Sequence, residues 1–90
     1  MELPLISQFY GILIYLYRKL NPQHNTPHIH AQYAEHDMSI SFNGYILAGS
    51  LPAKQRKLVE AWVALHEDEL RAAWKVYNES GEIIKIKGLE

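Results

Sequence analysis

The order of residue types predicts an α+β fold. It combines a small, mostly antiparallel β-sheet of about four strands, with room for a fifth at the C-terminus, and one long amphipathic α-helix packed on one face. Three observations carry that reading. β-Branched and aromatic residues crowd the first half of the chain; Asn43 and Gly44 stand between two apolar segments; and the one long stretch with helical spacing of apolar residues lies in the second half.

Residues 9–19 are rich in isoleucine, leucine and tyrosine and read as one long strand. Alternation puts Phe9, Gly11, Leu13, Tyr15 and Tyr17 on one face and Tyr10, Ile12, Ile14 and Leu16 on the other. Both faces are apolar, so the strand is expected to be covered on both sides or to offer a patch or an edge to another chain. Residues 21–27 form a loop, because Pro22 and Pro27 push their preceding residues out of helical geometry. Residues 28–34 make a second strand and residues 37–43 a third, in which Met38, Ile40 and Phe42 oppose Ser39 and Ser41. Asn43 and Gly44 predict a type I′ hairpin, and residues 45–48 return as a fourth strand.

Ser50 and Pro52 open the helix, serine as a cap and proline in the first turn. It is expected to run to about Tyr77 and to stop near Gly81. Leu58, Val59, Trp62, Leu65, Leu70, Ala73, Val76 and Tyr77 fall on its apolar face. Burying each large apolar side chain stabilises by roughly 1.5–3 kcal/mol, so Trp62→Ala is the change expected to hurt most. Residues 83–87 alternate loosely and suggest a short last strand.

Ninety residues make one domain, 1–90, and a 48% hydrophobic composition can build its core. No cysteine is present, which excludes disulfides, iron–sulfur clusters and thiolate zinc sites and fits a reducing compartment. The formal net charge of −1 supplies no global field for nucleic acid, though a local patch remains compatible with RNA. The apolar run from Phe9 to Leu16 is too short to span a bilayer, and neither a basic leader nor a small-residue cleavage site accompanies it. The chain reads as soluble and cytoplasmic.

Four of the five histidines, His24, His28, His30 and His36, lie within thirteen positions. If residues 28–34 are extended, His28, His30 and Gln32 share one face, beside Ser39 or Ser41, and Ile29, Ala31 and Tyr33 share the other. Two imidazoles side by side can share a divalent metal such as zinc, with His24, His36 or Asp37 as a third ligand and an open position left for chemistry. The same pair can instead act without metal, one as base and one as acid, to cleave RNA or another phosphoester. Arg18 or Lys19 would then steady the phosphate, and Tyr33 and Tyr17 would stack on bases. The plain alternative for each is structural: backbone-bonded histidines, packed tyrosines, a solvated strand end. His66 sits on the apolar helix face with Glu69 one turn on, on the core side and away from His28 and His30. No glycine-rich phosphate loop, serine elbow or paired-histidine metalloprotease motif occurs.

Phe9 to Ile12, Asn21 and Pro22, Pro27 through Tyr33, Gly49 to Pro52, and Trp62, Leu65, His66, Glu69, Leu70 and Trp74 together resemble a prokaryotic family catalogued as domain of unknown function 4160. The resemblance covers nearly the whole chain, and its matching positions are His28, His30, Tyr33, Trp62, His66 and Trp74. The usual loop carries consecutive prolines before the paired histidines; here Asn25 and Thr26 interrupt it. The resemblance implies a small bacterial or archaeal protein, often encoded beside another small uncharacterised one, in an arrangement that looks like a toxin–antitoxin pair. Three functions compete. The first is a partner-binding module of such a pair, binding an adjacent gene's product or a second copy of itself. The second is a histidine-based or metal-dependent ribonuclease or phosphoesterase. The third is a non-catalytic divalent-metal-binding protein.

Overall fold

Five short segments build the sheet. The computed structural model describes residues 4–16 and 26–90; Tyr17, Arg18, Lys19 and His24, with the rest of 17–25, lie outside the described residues. The strands are β1 (Leu5–Phe9), β2 (Ile12–Leu16), β3 (His28–Tyr33), β4 (His36–Ser41) and β5 (Ile46–Gly49), followed by helices α1 (Ala53–Leu65) and α2 (Glu67–Ser80). The strands lie in chain order, each antiparallel to the next. Ile14, Ala31 and Met38 form one core-facing row and Leu16, Ile29 and Ile40 another. Val59, Trp62, Val63, Leu70 and Ala73 close over them in a single apolar cluster.

The strand expected over residues 9–19 is instead the end of a hairpin. Tyr10 and Gly11 take φ of 49° and 78°, the two positive values of a type I′ turn, and Phe9 faces Ile12 across it. Tyrosine is a poor occupant of that position, which hides the turn from a composition-based reading. Conversely, Asn43 and Gly44 do not form the expected type I′ turn. Only Gly44 has positive φ, the Gly44 N–H donates to the Ser41 carbonyl at 3.0 Å, and the Ser41 N–H donates to the Tyr45 carbonyl at 2.8 Å. That is the longer hairpin loop with a glycine bulge.

The single long helix is corrected to two. At His66 the backbone leaves helical geometry (φ −115°, ψ 22°), although His66 N–H still reaches the Trp62 carbonyl and Leu70 N–H the His66 carbonyl. Glu67, Asp68 and Glu69 then fill the first turn of α2, where negative charge complements the exposed amide dipoles. That acidic triplet is a helix start inside an apparently continuous run. Leu65 is 71% exposed, contrary to its expected place on the apolar face. It lies roughly 110° from the centre of the Val59, Trp62 and Val63 stripe at 100° per residue. Nor does Ser50 cap α1: Pro52 takes the cap position without a side-chain bond, and the Ser50 N–H donates to the Asp37 carbonyl. Gly81 does end α2 in the left-handed conformation, its N–H on the Tyr77 carbonyl.

Residues 83–87 add no strand, yet the C-terminal segment is tightly placed. Ile86 N–H donates to the Ile6 carbonyl, Trp62 Nε1 donates to the Lys87 carbonyl at 2.9 Å, and the Glu90 carboxylate accepts from Tyr10 N–H. A Cβ on Gly88 would lie 2.8 Å from the Gln8 carbonyl oxygen. Residues 86–90 therefore lie against β1, an edge of the sheet. Among the described residues, no helix is long and apolar enough to cross a membrane.

Candidate functional site

Pairing of β2, β3 and β4 puts polar side chains of neighbouring strands in register on the face away from the helices. Tyr15, His30 and Ser39 form one row across the sheet, Leu13, Gln32 and Asp37 the next, and His28 stands opposite Ser41. The two imidazoles lie side by side on this face, their ring centroids 5.9 Å apart and tilted by 49°.

Each ring is held by a different partner. His28 Nδ1 donates to the Thr26 carbonyl at 2.8 Å, which makes its Nε2 the lone-pair nitrogen in the neutral ring. His30 Nε2 and the Ser39 hydroxyl share a hydrogen bond of 3.2 Å. Burial lowers the His30 pKa below the ordinary histidine value, and the neighbouring His28 lowers it further against the opposing pull of Asp37. His30 is thus neutral near pH 7, able to accept a proton or ligate.

The other candidates do not join this pair. His36 faces Tyr33 across the β3–β4 hairpin, in the rows that share the core-facing side, so it lies across the sheet from His28 and His30. Its Nε2 lies 3.7 Å from the Glu35 carboxylate. Tyr33 occupies the same opposite face, at the far end of β3 from His28. Asp37 shares the face of His30, but among the described residues no three histidine, aspartate or glutamate side chains converge to hold a metal. His24 and Arg18 lie outside the described residues. His66 remains apart: its ring packs on Trp62 at 5.3 Å and its Nδ1 meets Glu69 Oε1 at 2.6 Å.

A second feature is structural rather than chemical. β5 is the last strand of the sheet, paired only with β4 among the described residues. All four of its residues are exposed, as are Tyr45 before it and Ser50 after it, with Tyr45 at 69% and Leu47 at 47%. No charged residue occurs from Tyr45 to Pro52. Lysine, proline or a covering segment commonly protects such an edge. Residues 86–90 cover β1 in this way; β5 has no equivalent among the described residues. Sequence reading places the candidate edge at the first strand because it cannot foresee the hairpin at Tyr10 and Gly11.

A family model described as domain of unknown function (DUF4160) matches residues 11–75, from the start of the first hairpin's return strand into α2. No curated protein and no solved structure matches the chain.

Proposed function

This chain belongs to the family described as domain of unknown function (DUF4160), and from that premise we propose that it is a small cytoplasmic partner-binding module. Its partner is an extended segment of the protein encoded beside it in a toxin–antitoxin-like pair, and that segment adds as a strand to β5. The uncharged, exposed outer edge of β5 carries this reading. Strand addition draws affinity from main-chain hydrogen bonds and specificity from alternate side chains, and here Tyr45, Ile46 and Leu47 supply apolar contacts. The contrast between the two edges supports the same conclusion: residues 86–90 lie against β1, whereas among the described residues nothing pairs with the outer edge of β5.

Co-expression with the product of the adjacent gene, followed by size-exclusion chromatography with light scattering, tests the proposal. A complex is expected with the wild-type chain and is expected to be lost in Leu47→Lys, which puts a charge on the edge while leaving the core untouched. Recovery of the complex by the lysine variant at unchanged affinity would overturn it. A symmetric dimer of this chain alone, abolished by the same substitution, would assign the edge to a second copy instead.

The paired histidines favour a second reading, a histidine-based ribonuclease or phosphoesterase with His30 as base and His28 as acid after it gains a proton. In that reading Arg18 is the phosphate-steadying cation. A divalent-metal site, catalytic or not, would use His28 and His30 and draw a further ligand such as His24 from residues 17–25. A folded His28→Ala, His30→Ala double variant that keeps any RNA-cleaving or metal-binding activity of the wild type would sink this reading without touching the first.

A further inference from the structure

On the core-facing side, at the hairpin end of the sheet, Tyr10, Tyr33, Lys54, Gln55 and Leu58 line an open cleft of about 410 Å³. We infer that this cleft binds one nucleotide unit, a planar base with its phosphate, independently of the β5 edge and of the histidine pair. Three parts of the fold converge there: the β1–β2 turn supplies Tyr10, the end of β3 supplies Tyr33, and the first turns of α1 supply Lys54, Gln55 and Leu58.

Each lining group has a role suited to that ligand. Tyr10 keeps a large ring 54% exposed while its backbone holds a φ of 49°, where glycine or asparagine would sit with less strain. The Glu90 carboxylate fastens the Tyr10 main chain by accepting its N–H. Tyr33 is backed by the bare Cα of Gly11, where an added Cβ would come within 3.4 Å of its ring. Two tyrosines and Leu58 make apolar walls, and aromatic rings accept any base by stacking. Lys54 brings a cation and Gln55 an amide that can both donate to and accept from a base edge; none of the five lining residues is acidic, and the Glu90 carboxylate beside them is engaged by Tyr10 N–H. Lys54, Arg56 and Lys57 give this end of α1 a local positive charge, offset in part by the 3.1 Å pair between Arg56 and Glu60. Ligand pockets commonly span about 300–1,000 Å³, so the cleft suits one such unit and not a folded partner.

The base and phosphate can come from a free nucleotide or from a single-stranded nucleic acid. Calorimetric titration of the full chain with each nucleoside monophosphate, a short single-stranded RNA and inorganic phosphate separates the sources. Binding of the monophosphates and the RNA, with inorganic phosphate at least tenfold weaker, is the expected result; binding of the RNA alone assigns the cleft to a polymer. Tyr10→Asn, which suits the positive φ and so preserves the turn, is expected to weaken binding about tenfold. Lys54→Gln should weaken it and flatten its salt dependence. Thermal melts check that both variants fold. If wild type binds neither nucleotide nor RNA, if phosphate alone binds as tightly, or if both folded variants bind like wild type, the inference fails.

Discussion

Gly49 carries two constraints at once. Its φ of 73° belongs to the left-handed region, and a Cβ there would lie 2.3 Å from the Asp37 carbonyl oxygen. Gly49→Ala is therefore expected to cost at least about 2 kcal/mol, read as a lower urea midpoint. Ala34 presents the reverse case, a non-glycine residue at φ 53° in the β3–β4 turn. Ala34→Gly should stabilise by about 0.5–1 kcal/mol by relieving that conformation, and a raised melting temperature would register it. His30 links the site to pH. Because burial and His28 hold its folded pKa below the unfolded value near 6.5, the unfolded chain binds the proton first as pH falls. The His30 contribution to stability is present above about pH 6.5 and is lost as pH drops from there toward the folded pKa. Urea melts at pH 7.5 and 5.5 should show a loss on acidification that is smaller in His30→Asn. An equal loss in both proteins would contradict this assignment.

At the level of elements, the sheet has two differently treated edges. Residues 86–90 lie against β1 through Ile86 and Gly88, the Glu90 carboxylate accepts from Tyr10 N–H in the adjoining turn, and the Lys87 carbonyl accepts from the Trp62 indole. Deleting residues 86–90 is expected to lower the melting temperature, because it strips an edge and leaves the buried Trp62 N–H without that acceptor, a cost of about 1–3 kcal/mol. The deletion should also promote association of β1 edges, visible by light scattering, whereas an unchanged melt and a monodisperse monomer would contradict the role given to this segment. The break at His66 belongs to the same scale. Two shorter helices each contribute their own buried residues, Val59, Trp62 and Val63 from α1 and Leu70 and Ala73 from α2, to the one apolar cluster.

For the whole molecule, the indole of Trp62 joins the layers. It is fully buried, stacks on Phe9 with centroids 5.5 Å apart, and bonds the C-terminal segment. Trp62→Ala is expected to cost about 3–5 kcal/mol, much of the total stability of a domain this size; a variant melting within a few degrees of wild type would contradict it. Trp62 itself was legible from helical spacing, as was the alternation that put His28 and His30 opposite Ser41 and Ser39. The β1–β2 turn was not, because Tyr10 gives no turn signal of its own and its positive φ is held by the strands on either side. His36 does not join His28 and His30 for a related reason. A two-residue hairpin loop carries it across from Tyr33, and a residue opposite Tyr33 shares the face of Tyr33.

The amino-acid order by itself determined the α+β class, the antiparallel pattern, the sidedness of β3 and β4 and the glycine stop at Gly81, since these depend on neighbours two to four positions apart. Only the tertiary structure decided which sheet edge lacks a neighbour among the described residues, where the helix breaks, that Tyr10, Tyr33 and Lys54 border one cleft, and that His36 stands away from the histidine pair. Those outcomes depend on strand register and on packing between residues far apart in the chain, where the free energy belongs to the assembled layers rather than to any local run of residues.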